Sequence, residues 1–282
     1  MRSRSDTLIG FDSAWTDNPK APGAICAVSL EEGRPVRFHP PRLVSFDGGL
    51  EFIRQVRSPG ATLVALDQPT VVPNLTSMRP VERAAASLVS WMGGGVQPSN
   101  RGRIGMFCDD APIWWFLRQL KAMEDPELAR IATDGLHLME VFPAISLAAM
   151  DADFFGYRRG PRYNPARRTF RIEDWRRVAK AAAREAASMG FDEIGEWCRV
   201  AASVDAPRKA DQDRLDAVLC LLIALRWRLR PREESLILGN TTTGYMVMPA
   251  APAVRERLAV AALRMSVPMD GHLPTGADRQ GA

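Results

Sequence analysis

The stretch that most constrains the fold is "ADQDRLDAVLCLLIALRW" at 210–227. Its spacing predicts a helix over about 210–229, and downstream of Asp216 that helix is apolar almost all round. A helix without a polar face must be buried against another apolar layer. Its first turns differ: Asp213 and Asp216 stand at i and i+3 on one face. They occupy the amino-terminal end, where the helix dipole tolerates negative charge. Ala217 leaves room for close approach at the level of these acids. The apolar run 217–225 is too short to cross a bilayer, and no membrane association is expected.

The layer beneath such a helix is a sheet. Residues 7–15, 23–30 and 34–40 read as three successive strands, with Gly33 turning the second into the third. Segments 62–70 and 136–144 are two further compact apolar strands, interrupted by Pro69 and Pro143. Helical spacing covers 50–58, "VERAAASLVSWM", 173–189 and 191–203, whereas 96–108 reads as loop. Another helix starts near Pro112, with Asp109 and Asp110 in capping positions. "SLILGNTTTGYMVMP" reads as a terminal hairpin. Strands followed by alternating strands and helices predict an α/β or α+β protein with a mixed sheet covered by helices. The 282 residues suffice for a full core, and no repeat or linker divides them. We therefore expect one domain over 1–250, with a helix and a frayed tail in 251–282.

Three strands end alike. "LIGFDSAW" carries Asp12, "TLVALDQP" carries Asp67 and "HLMEVFP" carries Glu140, each an acid after an apolar run. In open α/β sheets ligands gather beyond the carboxyl ends of strands, so these acids are candidates for a single crevice with Asp213 and Asp216. Taken singly each has a plainer reading. Asp67 suits a turn, Glu140 suits an arginine partner, and Asp213 suits a helix cap. Together they would repel by roughly 4 kcal/mol per pair at an effective dielectric near 20. A divalent cation removes that cost, and hard oxygen donors without nearby His or Cys favour Mg²⁺ or Mn²⁺. Such ions activate water and stabilise the leaving oxygen of a phosphodiester, with no side-chain nucleophile.

The segments "IGFDSAW", "VALDQP", "RPVERAAASL", "MEVFPA", "DQDRLDAVLCLLIALRW" and "TTTGYMVMP" occur in an order that resembles domain of unknown function 429. This is a family of predicted nucleases with a ribonuclease H-like fold. The resemblance covers most of 6–249 and implies a mixed five-stranded sheet flanked by helices. It also implies catalytic and metal-ligating roles for Asp12, Asp67, Glu140 and Asp216, with Asp213 as a fifth metal ligand. The D-x-x-D pair Asp213 and Asp216 resembles the resolvase branch of that superfamily. Arg79 and Glu82 match a family element, for which an internal ion pair is the plain expectation. Gln68 departs from the pattern, since many relatives carry an apolar residue there.

"YRRGPRYNPARRTFRIEDWRR" at 157–177 packs eight arginines among aromatic residues. Arg158, Arg159, Arg162, Arg167 and Arg168 are candidates for gripping a nucleic-acid backbone, with a solvated loop as the plainer alternative. A net charge of +4 is compatible with a polyanionic partner but far from that of a dedicated nucleic-acid-binding tail. None of the three histidines sits in a general-base motif, and no G-x-S-x-G is present, which disfavours a serine hydrolase. The four scattered cysteines argue against zinc or disulfides and for a reducing cytoplasm. The basic start "MRSRSDTLIG" is broken by Asp12 too early for a signal peptide. The leading expectation is a metal-dependent nuclease. The alternatives are an ATP-dependent phosphotransferase of the actin-like kinase type and a non-catalytic nucleic-acid or protein binding module.

Overall fold

Strand β1 (Ser5–Asp12) is buried from Asp6 to Phe11 because both faces of its sheet are covered. It is the centre of that sheet in a computed structural model that describes residues 5–273. Strands β2 (Gly23–Glu31) and β3 (Arg34–Val44) continue from it as an antiparallel meander. Helix α1 (Phe46–Val56), capped by the Ser45 hydroxyl, leads to β4 (Thr62–Leu66), which pairs parallel with β1. Helices α2 (Pro80–Trp91), α3 (Pro112–Leu120) and α4 (Pro126–Ile131) precede β5 (Leu136–Glu140), parallel to β4. The resulting order β3-β2-β1-β4-β5 is the expected mixed five-stranded sheet.

Helices α5 (Pro143–Met150), α6 (Ile172–Ser188), α7 (Asp192–Ala202) and α8 (Lys209–Leu229) follow. A separate hairpin of β6 (Ser235–Asn240) and β7 (Gly244–Pro249) precedes α9 (Pro252–Met265).

The two-residue period of the strands sorts the core. Leu8, Leu63, Ala65 and Met139 face α6, α7 and α8, whereas Ile9, Phe11, Val64, Leu66 and Leu138 face α1 and α3. Helix α8 is buried through most of its length and lies directly on β1. Gly10 makes this possible: a Cβ there would collide with the Ala217 carbonyl oxygen and the Leu221 backbone. Ala217 is buried at the same contact, as its small size predicts.

A third core cluster joins α2, α5, the β6–β7 hairpin and α9. An isolated bridge between Val141 and Val247 ties this layer to the end of β5.

Several local expectations differ from the structure. Asp109 and Asp110 do not cap α3, whose N-cap is Ala111; Asp109 instead pairs with Arg101, and Asp110 accepts from the Cys108 thiol. β5 ends at Glu140, before Pro143, which instead opens α5 in a position proline suits because no partner for its missing N–H is needed. The last residues are not frayed as far as they are described. Val267 is buried and Met269 bridges Leu238; the rest of the expected tail, 274–282, lies outside the described residues. Among the described residues no helix is long and apolar enough to cross a membrane.

Candidate active site

Parallel pairing brings the ends of β1, β4 and β5 to one edge of the sheet. Phe11 lies beside Leu66, and Leu66 beside Glu140. Asp12 ends β1, and Asp67 follows β4 at once, its N–H donating to the Phe11 carbonyl (2.8 Å). By the strand period, Asp12 shares the face of Leu8 and Gly10, and Asp67 that of Leu63 and Ala65; this is the face covered by α8. Because α8 rests on Gly10, its first turns deliver Asp216 to the same place.

The three aspartates feel one another. Burial first, then the charges of Asp216 and Asp67, push the Asp12 carboxyl well above the ordinary range. Burial, Asp216 and Glu140 do the same to Asp67. Asp216 is raised to about 6, chiefly by burial, with hydrogen bonds from Tyr163 and Gln212 holding it down. Tyr163 Oη donates to Asp216 Oδ1 (2.7 Å) and Gln212 Nε2 donates to Oδ2 (2.6 Å). The amide oxygen of Gln212 is buried without a hydrogen-bond partner.

Asp213 is placed near this group but is paired with Lys209. Burial opposes the lysine charge, yet its pKa is raised by Asp12, Asp213 and Asp216 together. An ammonium group therefore already stands in the field of the acids.

Glu140 lines one cavity with Asp67 and Asp216 and raises Asp67, but it is already paired. Its register partner is Leu66, so it starts on the opposite face from Asp12 and Asp67. Both its oxygens are taken by Arg79, at 2.6 Å from Nη2 and 2.9 Å from Nη1. Arg79 also donates from Nε to Glu82 (2.8 Å), completing a fully buried charge cluster. The Arg79–Glu82 pair fits the plain expectation from "RPVERA". Burial raises Glu140 to about 7 against the pull of the guanidinium. Glu82 accepts from the Ser99 N–H and Glu140 from the Thr70 N–H. Tyr245 accepts from the Glu140 N–H and donates to Glu124 (both 3.0 Å). The expected role of Glu140 as a metal ligand is thus not what its geometry offers; it is the anionic half of an internal ion pair.

A cavity of about 680 Å³ opens over the strand ends. Asp67, Glu140, Asp216 and Gln212 line it, together with Trp15, glycines 93–95, Arg162, Asn164 and Arg167. Asp12 and Asp213 are not among its lining residues. Trp15 Nε1 donates to the Asp67 carbonyl (3.1 Å), and Gln68 is buried, accepting from the Ser13 hydroxyl. Gln68 thus braces the loop after Asp12.

Among the described residues no three His, Cys, Asp or Glu side chains stand where they would hold a metal ion. Three of the expected acids have partners already: Arg79 pairs with Glu140, Lys209 with Asp213, and Tyr163 with Gln212 orients Asp216. The expected five-acid cluster is therefore reduced to Asp12, Asp67 and Asp216. These carboxyls repel one another and the Gln212 oxygen is orphaned, conditions that a hard cation would relieve only if the three carboxyls moved to converge on it.

Of the expected arginines, Arg162 and Arg167 face the acid cavity. Arg158 and Arg159, with Arg162, border a neighbouring hollow, and Arg168 lines neither. Tyr163, Gln212 and Lys209 were not apparent as site residues. Gln212 and Lys209 lie four and seven residues before Asp216, a helical spacing that places them on its face. Tyr163 carries no such signal.

An α/β sheet carrying buried acids at its strand ends beneath a cavity defines the class. Residues 10–238 match the family described as "Protein of unknown function (DUF429)", and the chain belongs to that family. No curated protein and no solved structure matches the chain.

Proposed function

We propose that the protein is a ribonuclease H-like, metal-dependent phosphodiesterase acting on nucleic acid. The observation that carries this reading is the placing of buried Asp12, Asp67 and Asp216 at the ends of two parallel strands and a buried helix, where the charge of Asp216 raises both Asp12 and Asp67. Such groups are costly to keep together unless a cation or a reaction uses them. Asp12, Asp67 and Asp216 would hold Mg²⁺ or Mn²⁺, with the Gln212 oxygen as a further donor. The ion would supply an activated water and charge stabilisation on the phosphoryl oxygens. Tyr163 and Gln212 hold the Asp216 carboxylate in one orientation. Arg162, Arg167 and Asn164 present donors from the cavity wall to the phosphate of the substrate. Trp15 offers a flat apolar surface beside the acids on which a base would stack. The four cysteines are free, which accords with work in a reducing cytoplasm.

Fluorogenic DNA and RNA substrates with Mn²⁺ test this reading. Asp12→Asn is expected to reduce cleavage by more than the roughly 100-fold that loss of an outer partner of a ligand causes. Cleavage unchanged in that variant removes the proposal. The second reading, a non-catalytic anion-binding module, is favoured by the lack of three converging ligands among the described residues. Binding of nucleic acid without turnover, and without a calorimetric response to Mn²⁺, selects it.

A further inference from the structure

A second hollow, of about 360 Å³, shares Arg162 with the acid cavity. Five arginines line it: Arg158, Arg159, Arg162, Arg171 and Arg177. Only two carboxylates, Asp153 and Asp174, face them. Both are engaged by Arg177, at 3.6 Å each. The side chains of Arg158, Arg159, Arg162 and Arg171 have no carboxylate partner among the described residues; Arg158 lies 5.3 Å over the Tyr157 ring.

The backbone positions the residues that carry these like charges. The Arg158 N–H donates to the Trp91 carbonyl (2.9 Å) and the Gly160 N–H to the Met92 carbonyl (2.8 Å), stitching the loop to the end of α2. The Arg171 N–H donates to the Arg162 carbonyl (2.8 Å), closing the segment between them. Arg158 adopts a left-handed backbone (φ 58°), a conformation that costs energy in a residue with a Cβ. Exposed cations gathered around one hollow repel one another, and an anion with several acceptor oxygens relieves them.

We propose that this hollow is a phosphate site, and that its occupant is the terminal phosphomonoester of a nucleic-acid strand. A monoester carries close to two negative charges at neutral pH and three acceptor oxygens, against one charge for an internal diester. That matches five guanidinium groups of which two carboxylates compensate only Arg177. The phosphate site stands on its own geometry; assigning the phosphate to a nucleic-acid strand rests on the nuclease reading. With Arg162 common to both cavities, a strand anchored by its end would run toward Asp67 and Asp216, so that the enzyme works near phosphorylated ends.

The test uses the full chain carrying Asp12→Asn, in chelator, so that no cleavage is needed. Fluorescence anisotropy compares short single strands of one sequence bearing a 5′-phosphate, a 3′-phosphate or hydroxyls at both ends. One phosphorylated end is expected to bind about tenfold tighter than the hydroxyl form, as one charge-assisted contact implies. Inorganic phosphate should compete that advantage away. Arg159→Gln combined with Arg171→Gln, two exposed side chains outside any ion pair, should bring the preference close to one. Equal binding of all three strands, or a preference that survives the double substitution, overturns the proposal. A preference without cleavage by the unsubstituted protein would retire the nuclease reading alone, and cleavage without a preference would retire only the end-phosphate site.

Discussion

At the scale of single residues, the difference between Asp12 and Glu140 is one of parity. Each follows an apolar run, yet the register places Asp12 under α8 and Glu140 beside Leu66 on the other face. The acids were legible in the sequence as acids that end strands. Which of them meet was not, because a face depends on pairing register and a charge partner depends on a residue far along the chain. Arg79, 61 positions before Glu140, is such a partner. Arg79→Ala should leave Glu82 and Glu140 buried without a counter-charge and cost about 3–5 kcal/mol of stability, read from the urea midpoint at unchanged slope. The aspartates predict an acid-shifted stability for the metal-free protein. Their pKa values are raised on folding, so above about pH 4 the unfolded chain releases protons that the folded one retains. Stability falls as pH rises through this window, which closes at about 6 for Asp216 and about 7 for Glu140. In chelator the melting temperature should be higher at pH 5 than at pH 8. Mn²⁺ should raise it at pH 8 and barely at pH 5; no response at pH 8 would count against an ion at these acids.

At the scale of elements, the all-apolar face of α8 announced a buried helix, but the device that seats it lies in the strand. Gly10 reads in the sequence as a weak point within a strand pattern, and only the contact with Ala217 and Leu221 explains it. Gly10→Ala forces backbone against backbone, where no side chain can yield. The expected loss is at the upper end of overpacking, about 3 kcal/mol, measured by urea unfolding, and Asp216 should move away from Asp12. Mn²⁺-dependent cleavage by such a variant should therefore fall even at temperatures where it remains folded. Short α4 and α5 escaped the sequence reading because each is about two turns or less and begins at a proline. A proline after an apolar run signals the end of one element and the start of the next equally well.

At the scale of the whole molecule, the third core cluster joins parts distant in sequence. Val254, Leu258 and Ala262 of α9 are buried with Val81, Ala85 and Leu88 of α2 and with the β6–β7 hairpin. The hairpin in turn reaches the site through Tyr245, bonded to the Glu140 N–H. Deleting the chain from residue 251 onward should uncover this layer and remove roughly 1.5–3 kcal/mol for each of Val254 and Leu258. A lower melting temperature and new binding of an apolar dye would register it; an unchanged melting curve would show that α9 contributes nothing to the core.

Further pairing is hindered at both rims of the main sheet. β3 carries Pro35, Pro40 and Pro41, which lack amide protons, together with Arg34, Arg37 and Arg42. The far side of β5 is already met by Met123 and Val247. A neighbouring copy meets an interrupted ladder at each rim, which hinders sheet-mediated clumping.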